Sequence, residues 1–285
     1  MFRGIRRTAL TNSTSRSIVT VSVIGAATLA ASVGWLLSSG GGPAGAPTRP
    51  PVGAPGRQAV YLVPDAIVPA TAEPGATILA TILQTVPRYA SPGRPAAGTI
   101  PASWYGRPSV LPVIAAKPDW VQVRLAQRPN GGTAWLPDSD VTFSSTPYRI
   151  VINTATARLA LYDQGRLVFS APAGIGTADD PTPPGDFFVA FDEQPPQPNP
   201  GYGPFIMVTS AHSPAITDWE GSGDAVIGIH GPLGDDSEIG TTGARISHGC
   251  IRLHNQALER LTQVPPGTPV DVVSQARETP AKGDG

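Results

Sequence analysis

Residues 229–255 read IHGPLGDDSEIGTTGARISHGCIRLHN, and the reading of this stretch decides both the fold and the chemistry. It holds the only cysteine of the chain, Cys250, and three of the four histidines, His230, His248 and His254. A thiol attacks carbonyl carbon as thiolate, and a nearby imidazole can take its proton and return it to a leaving amine. Gly249 directly before the thiol, with Ser247 and His248 ahead of it, predicts a tight turn whose backbone N–H groups face a reacting carbonyl as an oxyanion hole. Two other readings compete. His230, His248, Cys250 and His254 offer a Cys–His ligand set, but their spacing is unfamiliar for zinc and a closed structural site usually has a second cysteine, so no metal is expected. A lone cysteine is also commonly a small buried apolar group.

Outward from this stretch, residues 225–230 (AVIGIH) predict a strand that delivers His230 to its end, followed by a glycine-rich loop to Ser247. Downstream, Asn255 is placed to cap a helix starting at Gln256, with Leu258, Leu261 and Val264 on one stripe. Pro265-Pro266-Gly267 ends it, and residues 269–273 (PVDVV) form a last strand. Upstream, residues 148–153, 158–162 and 167–171 predict a meander of antiparallel strands turning at Asp163-Gln164-Gly165. Residues 187–191 and 205–210 add further strands. Between those two lies a Pro-rich loop, residues 194–204, long enough to serve as a lid or binding wall and carrying one aromatic, Tyr202. Asp179-Asp180 reads as solvated loop, and His212 and Trp219 receive no role.

The composition agrees with a β-rich chain. Gly (32) and Pro (33) are abundant among 285 residues and only 14% are charged, which favours short strands joined by turns. A net charge of −1 gives no electrostatic case for nucleic acid. One cysteine allows no internal disulfide, and an unpaired thiol in an exported chain is a candidate reactive group.

The N-terminal part predicts export. Arg3, Arg6, Arg7 and Arg16 precede a mostly apolar run at 18–37, with no acidic residue before Asp65. Such a run suits a signal-anchor with its C-terminal side outside, favoured over a cleaved signal because it is about as long as the ~20 residues that span a bilayer. The expected organisation is therefore a basic N-terminus at 1–17, a transmembrane anchor at 18–37 and a Pro/Gly-rich linker at 38–57. A small β domain at 58–145, a second β unit at 146–275 and a tail at 276–285 follow. In the first β unit, Trp120-Val121-Gln122-Val123-Arg124-Leu125 alternates and leads through RPNGG to Thr133-Ala134-Trp135-Leu136, a hairpin with one buried face. That segment resembles the end of a bacterial SH3-like barrel. Trp104, Tyr105, Trp120 and Trp135 read as core rather than as a ligand groove.

The motif Ser247-His248-Gly249-Cys250-Ile251-Arg252, with a histidine sixteen spacer residues upstream at positions 231–246, resembles the signature of L,D-transpeptidases. Thr182-Pro183-Pro184-Gly185-Asp186-Phe187 is similar to that family's Thr-Pro-x-Gly-x-Phe turn, and the resemblance covers roughly 148–274. It implies a mainly β fold, a β-sandwich with one or two short helices, preceded here by the SH3-like barrel and the transmembrane helix. It also implies Cys250 as nucleophile, His230 as general base and acid, and the carbonyl of residue 231 as the group that orients the imidazole. Many relatives carry Ser or Thr there, and Gly231 departs from them while keeping the carbonyl. Ser247, His248, Gly249, Arg252 and Tyr202 would shape the oxyanion hole or contact substrate, and His254 matches no catalytic position. The implied partners are peptidoglycan stem peptides as donor and acceptor, joined 3→3 through a thioester without a cofactor, outside the membrane. An L,D-carboxypeptidase or other wall hydrolase on the same site, or an inert wall-binding protein, is the alternative.

Overall fold

The structure is a computed structural model that describes residues 75–274 apart from 197–199, 220 and 242. The expected anchor at 18–37, the linker at 38–57 and the tail from 276 lie outside the described residues. Among the described residues no helix is long and apolar enough to cross a membrane.

The first strands are β1 (Thr77–Ile82), β2 (Val86–Tyr89), β3 (Ala96–Ile100), β4 (Ser103–Trp104), β5 (Arg107–Pro108), β6 (Val110–Lys117), β7 (Trp120–Arg124), β8 (Thr133–Pro137) and β9 (Val141–Thr146). They form a seven-stranded sheet in the order β3-β2-β8-β7-β6-β1-β9, with β4–β5 as a separate hairpin. The predicted hairpin is present: β7 pairs with β8 in the register Val121↔Leu136 and Val123↔Ala134, and these four apolar residues are all buried. Trp135 is buried and Trp120 stands edge-on to Tyr89 at 5.0 Å, as core aromatics should. Tyr105 is the exception, being more than half exposed.

The later strands are β10 (Tyr148–Asn153), β11 (Arg158–Asp163), β12 (Arg166–Pro172), β13 (Ile175–Gly176), β14 (Gly185–Glu193), β15 (Ile206–His212), β16 (Val226–His230), β17 (Arg245–Ser247), β18 (Ile251–Arg252) and β19 (Pro269–Val273). Eight of them form a sheet in the order β12-β11-β10-β19-β14-β15-β16-β18. β10–β11–β12 is the expected meander, but the whole is not one. β19 inserts between β10 and β14, parallel to β10, and β18 joins β16 in parallel. Both pairings are non-local, and a strand's own alternation does not name its neighbour.

Among the described residues the one α-helix is α1 (Asn255–Glu259). Here the capping expectation fails. His254 is the N-cap and makes no side-chain capping bond, while Asn255 is already helical. The predicted stripe does form the buried seam, with Leu258, Leu261 and Val264 packed into the core of the second sheet.

The cores of the two sheets meet at β14, a strand of the eight-stranded sheet. Its run Phe187-Phe188-Val189-Ala190-Phe191 has no polar face, as a strand covered on both sides should read. Phe187 and Val189 enter the core beneath the eight-stranded sheet, whereas Phe188, Ala190 and Phe191 enter the core of the N-terminal sheet. Polar contacts reinforce this junction. Arg124 pairs with Asp186 at 2.7 Å, and Arg128 pairs with Asp224 at 2.7 Å while donating to the carbonyls of Ser213 and Ile216. The Asn130 side chain brackets the backbone of His212, whose ring meets Asp224 through Nδ1 and the Ala126 carbonyl through Nε2. His212 therefore belongs to the seam between the sheets.

Candidate active site

β16 carries the first half of the site. Ile227 and Ile229 point into the core, which sends Gly228 and His230 to the opposite face by simple alternation. β18 repeats the pattern beside it: Ile251 and Leu253 are buried in the same core, so Cys250 and Arg252 share the face of His230. The thiol lies against Gly228, whose N–H donates to Sγ at 3.4 Å. A Cβ on Gly228 would also stand 3.9 Å from His230 Cδ2, so a bare glycine lies against both the His230 ring and the Cys250 thiol.

The turn at Cys250 is held by two hydroxyl groups, each of which donates one hydrogen bond and accepts another. Ser247 Oγ donates to the Cys250 carbonyl at 2.5 Å and accepts the Gly249 N–H at 3.1 Å. Thr182 Oγ1 donates to the Gly249 carbonyl at 2.7 Å and accepts the Gly176 N–H at 2.9 Å. Gly249 itself has φ 113°, and a Cβ there would meet Ile227 Cδ1 at 2.7 Å, so any side chain at this position is strained. Because its N–H is spent on Ser247, Gly249 shapes the turn and is not a free oxyanion donor. Thr182 was legible only as part of a turn motif; its partner lies 67 residues away.

His230 is buried, and its Nδ1 meets the Gly231 carbonyl at 2.8 Å. The Nδ1–H tautomer donates there and leaves Nε2 with its lone pair. Burial lowers the imidazole from its ordinary 6.5 to about 4; the Gly231 carbonyl opposes this shift and the Arg252 charge adds to it. Burial also pushes the Cys250 thiol up, against the Gly228 N–H that favours thiolate. The resting pair is thus a neutral thiol beside a neutral imidazole.

The surrounding groups divide by function. Tyr202, in the short 3-10 turn Pro200–Tyr202, lays its ring edge-on to His230 at 4.9 Å. Its carbonyl accepts the Gly231 N–H at 2.7 Å, and Gly201 accepts that of Leu233, so the Pro-rich loop is zipped to the segment after the base. Arg252 is ion-paired with Asp235 and so ties down the glycine-rich loop. His248 is exposed, 5.6 Å from the Trp219 ring and 3.8 Å from Asp180, and His254 pairs with Asp236 at 2.8 Å. Among the described residues no three His, Cys, Asp or Glu side chains converge as a metal site.

The same segments carry a family match. Residues 147–272 match the YkuD family, described as the L,D-transpeptidase catalytic domain. A protein of Bacillus subtilis named "Putative L,D-transpeptidase YqjB" is 30% identical over 138 residues, which are 46% of this chain and 73% of that protein. The chain belongs to the L,D-transpeptidase family. A second relative, "Putative L,D-transpeptidase YkuD" of Bacillus licheniformis, is 36% identical over 127 residues, covering 44% of this chain and 66% of its own length. Among solved structures, an L,D-transpeptidase from Mycobacterium smegmatis aligns over 54% of this chain and 91% of its own at 19% identity, with a TM-score of 0.35. The assignment rests on the sequence relatives. The N-terminal sheet packs against β14 and β15 through Phe191 and Val208.

Proposed function

We propose that this chain is a peptidoglycan L,D-transpeptidase that forms 3→3 cross-links through a Cys250 thioester. The observation that carries the reading is the neutral His230 imidazole, fixed by the Gly231 carbonyl and held on the same face as the thiol, across Gly228. Nε2 takes the thiol proton as sulfur attacks the carbonyl carbon of the third stem residue. The tetrahedral oxyanion faces the backbone N–H groups of the turn at His248 and Cys250. Collapse breaks the C–N bond, and the imidazolium protonates the departing D-Ala amine. An acceptor side-chain amine then attacks the thioester and gives its proton to Nε2, and sulfur leaves to be reprotonated. Water in place of the amine would make an L,D-carboxypeptidase. The Tyr202 turn, packed on the base, supports transfer over hydrolysis because it shields one side of the imidazole. The basic N-terminus and the apolar run at 18–37 support a membrane-anchored, extracytoplasmic enzyme, and the N-terminal sheet is read as an SH3-like domain.

The test is mass spectrometry of products from purified stem tetrapeptides incubated with the full chain, with and without an acceptor amine. Cross-linked dimer in the presence of amine supports the proposal; tripeptide alone under both conditions would sink it in favour of the hydrolase.

The protonation states give a further expectation. His230 works as a base only when neutral, so acylation of Cys250 by a carbapenem should stay level as pH falls through 6.5 and drop only near 4. A half-maximal rate near 6.5 would mean that burial does not hold the His230 imidazole below its ordinary value. The rate constant is followed by intact-protein mass against pH.

A further inference from the structure

The eight-stranded sheet ends in an apolar edge. β12 is its outermost strand, paired with β11 on one side and, among the described residues, with no strand on the other. Proteins usually blunt such an edge with charges, prolines or brevity, because its open N–H and C=O groups recruit another strand. β18, at the opposite end of the sheet, is only two residues long. β12 runs for seven, Arg166–Pro172, with a charge only at its first residue and a proline only at its last. Between them Leu167 is 59% and Val168 48% exposed. Leu167 stands opposite Tyr162, and a register slip leaves Val168 opposite no residue of β11. Two adjacent aliphatic side chains are thus left uncovered on the strand that most needs cover.

The first described residue, Gly75, lies at this edge. It has φ 87°, and a Cβ on it would stand 2.6 Å from the Gln164 carbonyl carbon and 2.9 Å from Gly165 N. Its backbone therefore rests on the β11–β12 turn, directly before Arg166, and the residues ahead of Gly75 leave from the end of the sheet at which β12 starts. Among them, Ala59-Val60-Tyr61-Leu62-Val63 is the longest unbroken apolar run between the Pro/Gly-rich stretch at 38–57 and Gly75. Its β-branched and aromatic residues favour a strand, and Pro64 ends it. Residues 64–74 let Val63 lie at most about 40 Å from Gly75. β12 is about 23 Å long, so the run can reach every position along it.

We propose that residues 59–63 of the same chain dock on the outer edge of β12 as a ninth strand and cover Leu167 and Val168. The two partners match in chemistry. Residues 59–63 are apolar on both faces, as a strand with both faces covered reads, and β12 offers open main-chain groups beside bare aliphatic side chains. Covalent attachment decides between this run and a second copy of the protein, because a short tether holds it at an effective concentration on the order of millimolar. The proposal does not depend on the acyl-transfer reading, since β12 and β18 are at opposite ends of the sheet and Cys250 directly precedes β18. It does set where the catalytic unit is held. The tether from the expected anchor at 18–37 ends at residue 58 instead of at 74, on the edge away from Cys250.

Hydrogen–deuterium exchange of the full chain in detergent, read by mass spectrometry, tests the docking. In wild type, the peptide covering 59–63 should exchange at least about tenfold more slowly than unstructured chain, as an edge strand in a ladder does. Tyr61→Pro removes a ladder donor and should speed exchange about tenfold both there and in the outward-facing amides of 166–171. The peptide covering β16 should keep its wild-type rate, which shows that the sheet is intact. Leu62→Asp leaves every donor in place but sets a charge against the apolar edge, and the same joint loss is expected, so a misfolded proline variant does not end the test. Exchange of 59–63 at the unprotected rate in wild type overturns the proposal. So does protection of 166–171 that survives Leu62→Asp. Light scattering covers the other occupant: a wild-type dimer whose 166–171 protection falls on dilution assigns the edge to a second copy and overturns the proposal as well.

Discussion

Cys250→Ala is expected to abolish both the cross-linked product and the mass gain on incubation with a carbapenem, a loss on the order of 10⁶-fold in acylation rate. The size follows from covalency: without sulfur there is no thioester, and the oxyanion donors that remain can only polarise a carbonyl for water. Cys250→Ser is the more searching variant. It preserves the hydrogen-bonding shape, but an imidazole lowered to about 4 is a weak base, poorly matched to a hydroxyl that ionises far above a thiol. Serine should therefore be nearly as inactive as alanine. Neither change removes the Ser247 or Thr182 bonds that hold the turn, so the thermal midpoint should stay near that of wild type. Retention of either product formation or mass gain in Cys250→Ala would show that the nucleophile lies elsewhere.

The parts of this site that were legible in the sequence are those whose partners are close along the chain. Ser247 to Cys250 is a local turn, and its hydroxyl bridge spans three residues. His230 could be placed at a strand end because residues 225–230 alternate, and Gly231 is its immediate neighbour. What stayed hidden depends on contacts made across the fold. Thr182 reaches Gly249, Arg252 reaches Asp235, and Trp219 reaches His248 only after the sheet has ordered β16 beside β18. The run Phe187 to Phe191 announced a buried strand, but nothing in it said that its two faces would serve two cores. Asn255 shows the opposite failure. Its type suggested a helix cap, yet its Oδ1 lies against Gly231 and Gly203, so tertiary packing took a residue that local chemistry would have assigned to the helix end.

That same packing leaves room for nothing larger than glycine at residue 231, and it sets the second large expectation. A Cβ at Gly231 would stand 2.7 Å from Gly203 N, 2.7 Å from the Tyr202 carbonyl carbon and 2.7 Å from Asn255 Oδ1. Two of these neighbours are backbone, so the conflict cannot be relieved by turning a side chain. Either the Pro200–Tyr202 turn moves off the site or the peptide after His230 rotates, and the first breaks the 2.7 Å bond from the Gly231 N–H to the Tyr202 carbonyl. In both cases the Gly231 carbonyl no longer meets Nδ1 squarely, and the Tyr202 ring loses its place against the imidazole. Displacing a catalytic base by about 1 Å can cost on the order of a hundredfold in rate, so Gly231→Ala should lose about that much in carbapenem acylation. The loss should fall on the rate constant rather than on fold integrity, since the core beneath β16 is untouched. Moreover, Gly231→Ser should be no better than Gly231→Ala, because the obstacle is the Cβ itself. Wild-type acylation in Gly231→Ala would show that the Tyr202 turn yields freely and does not hold the base.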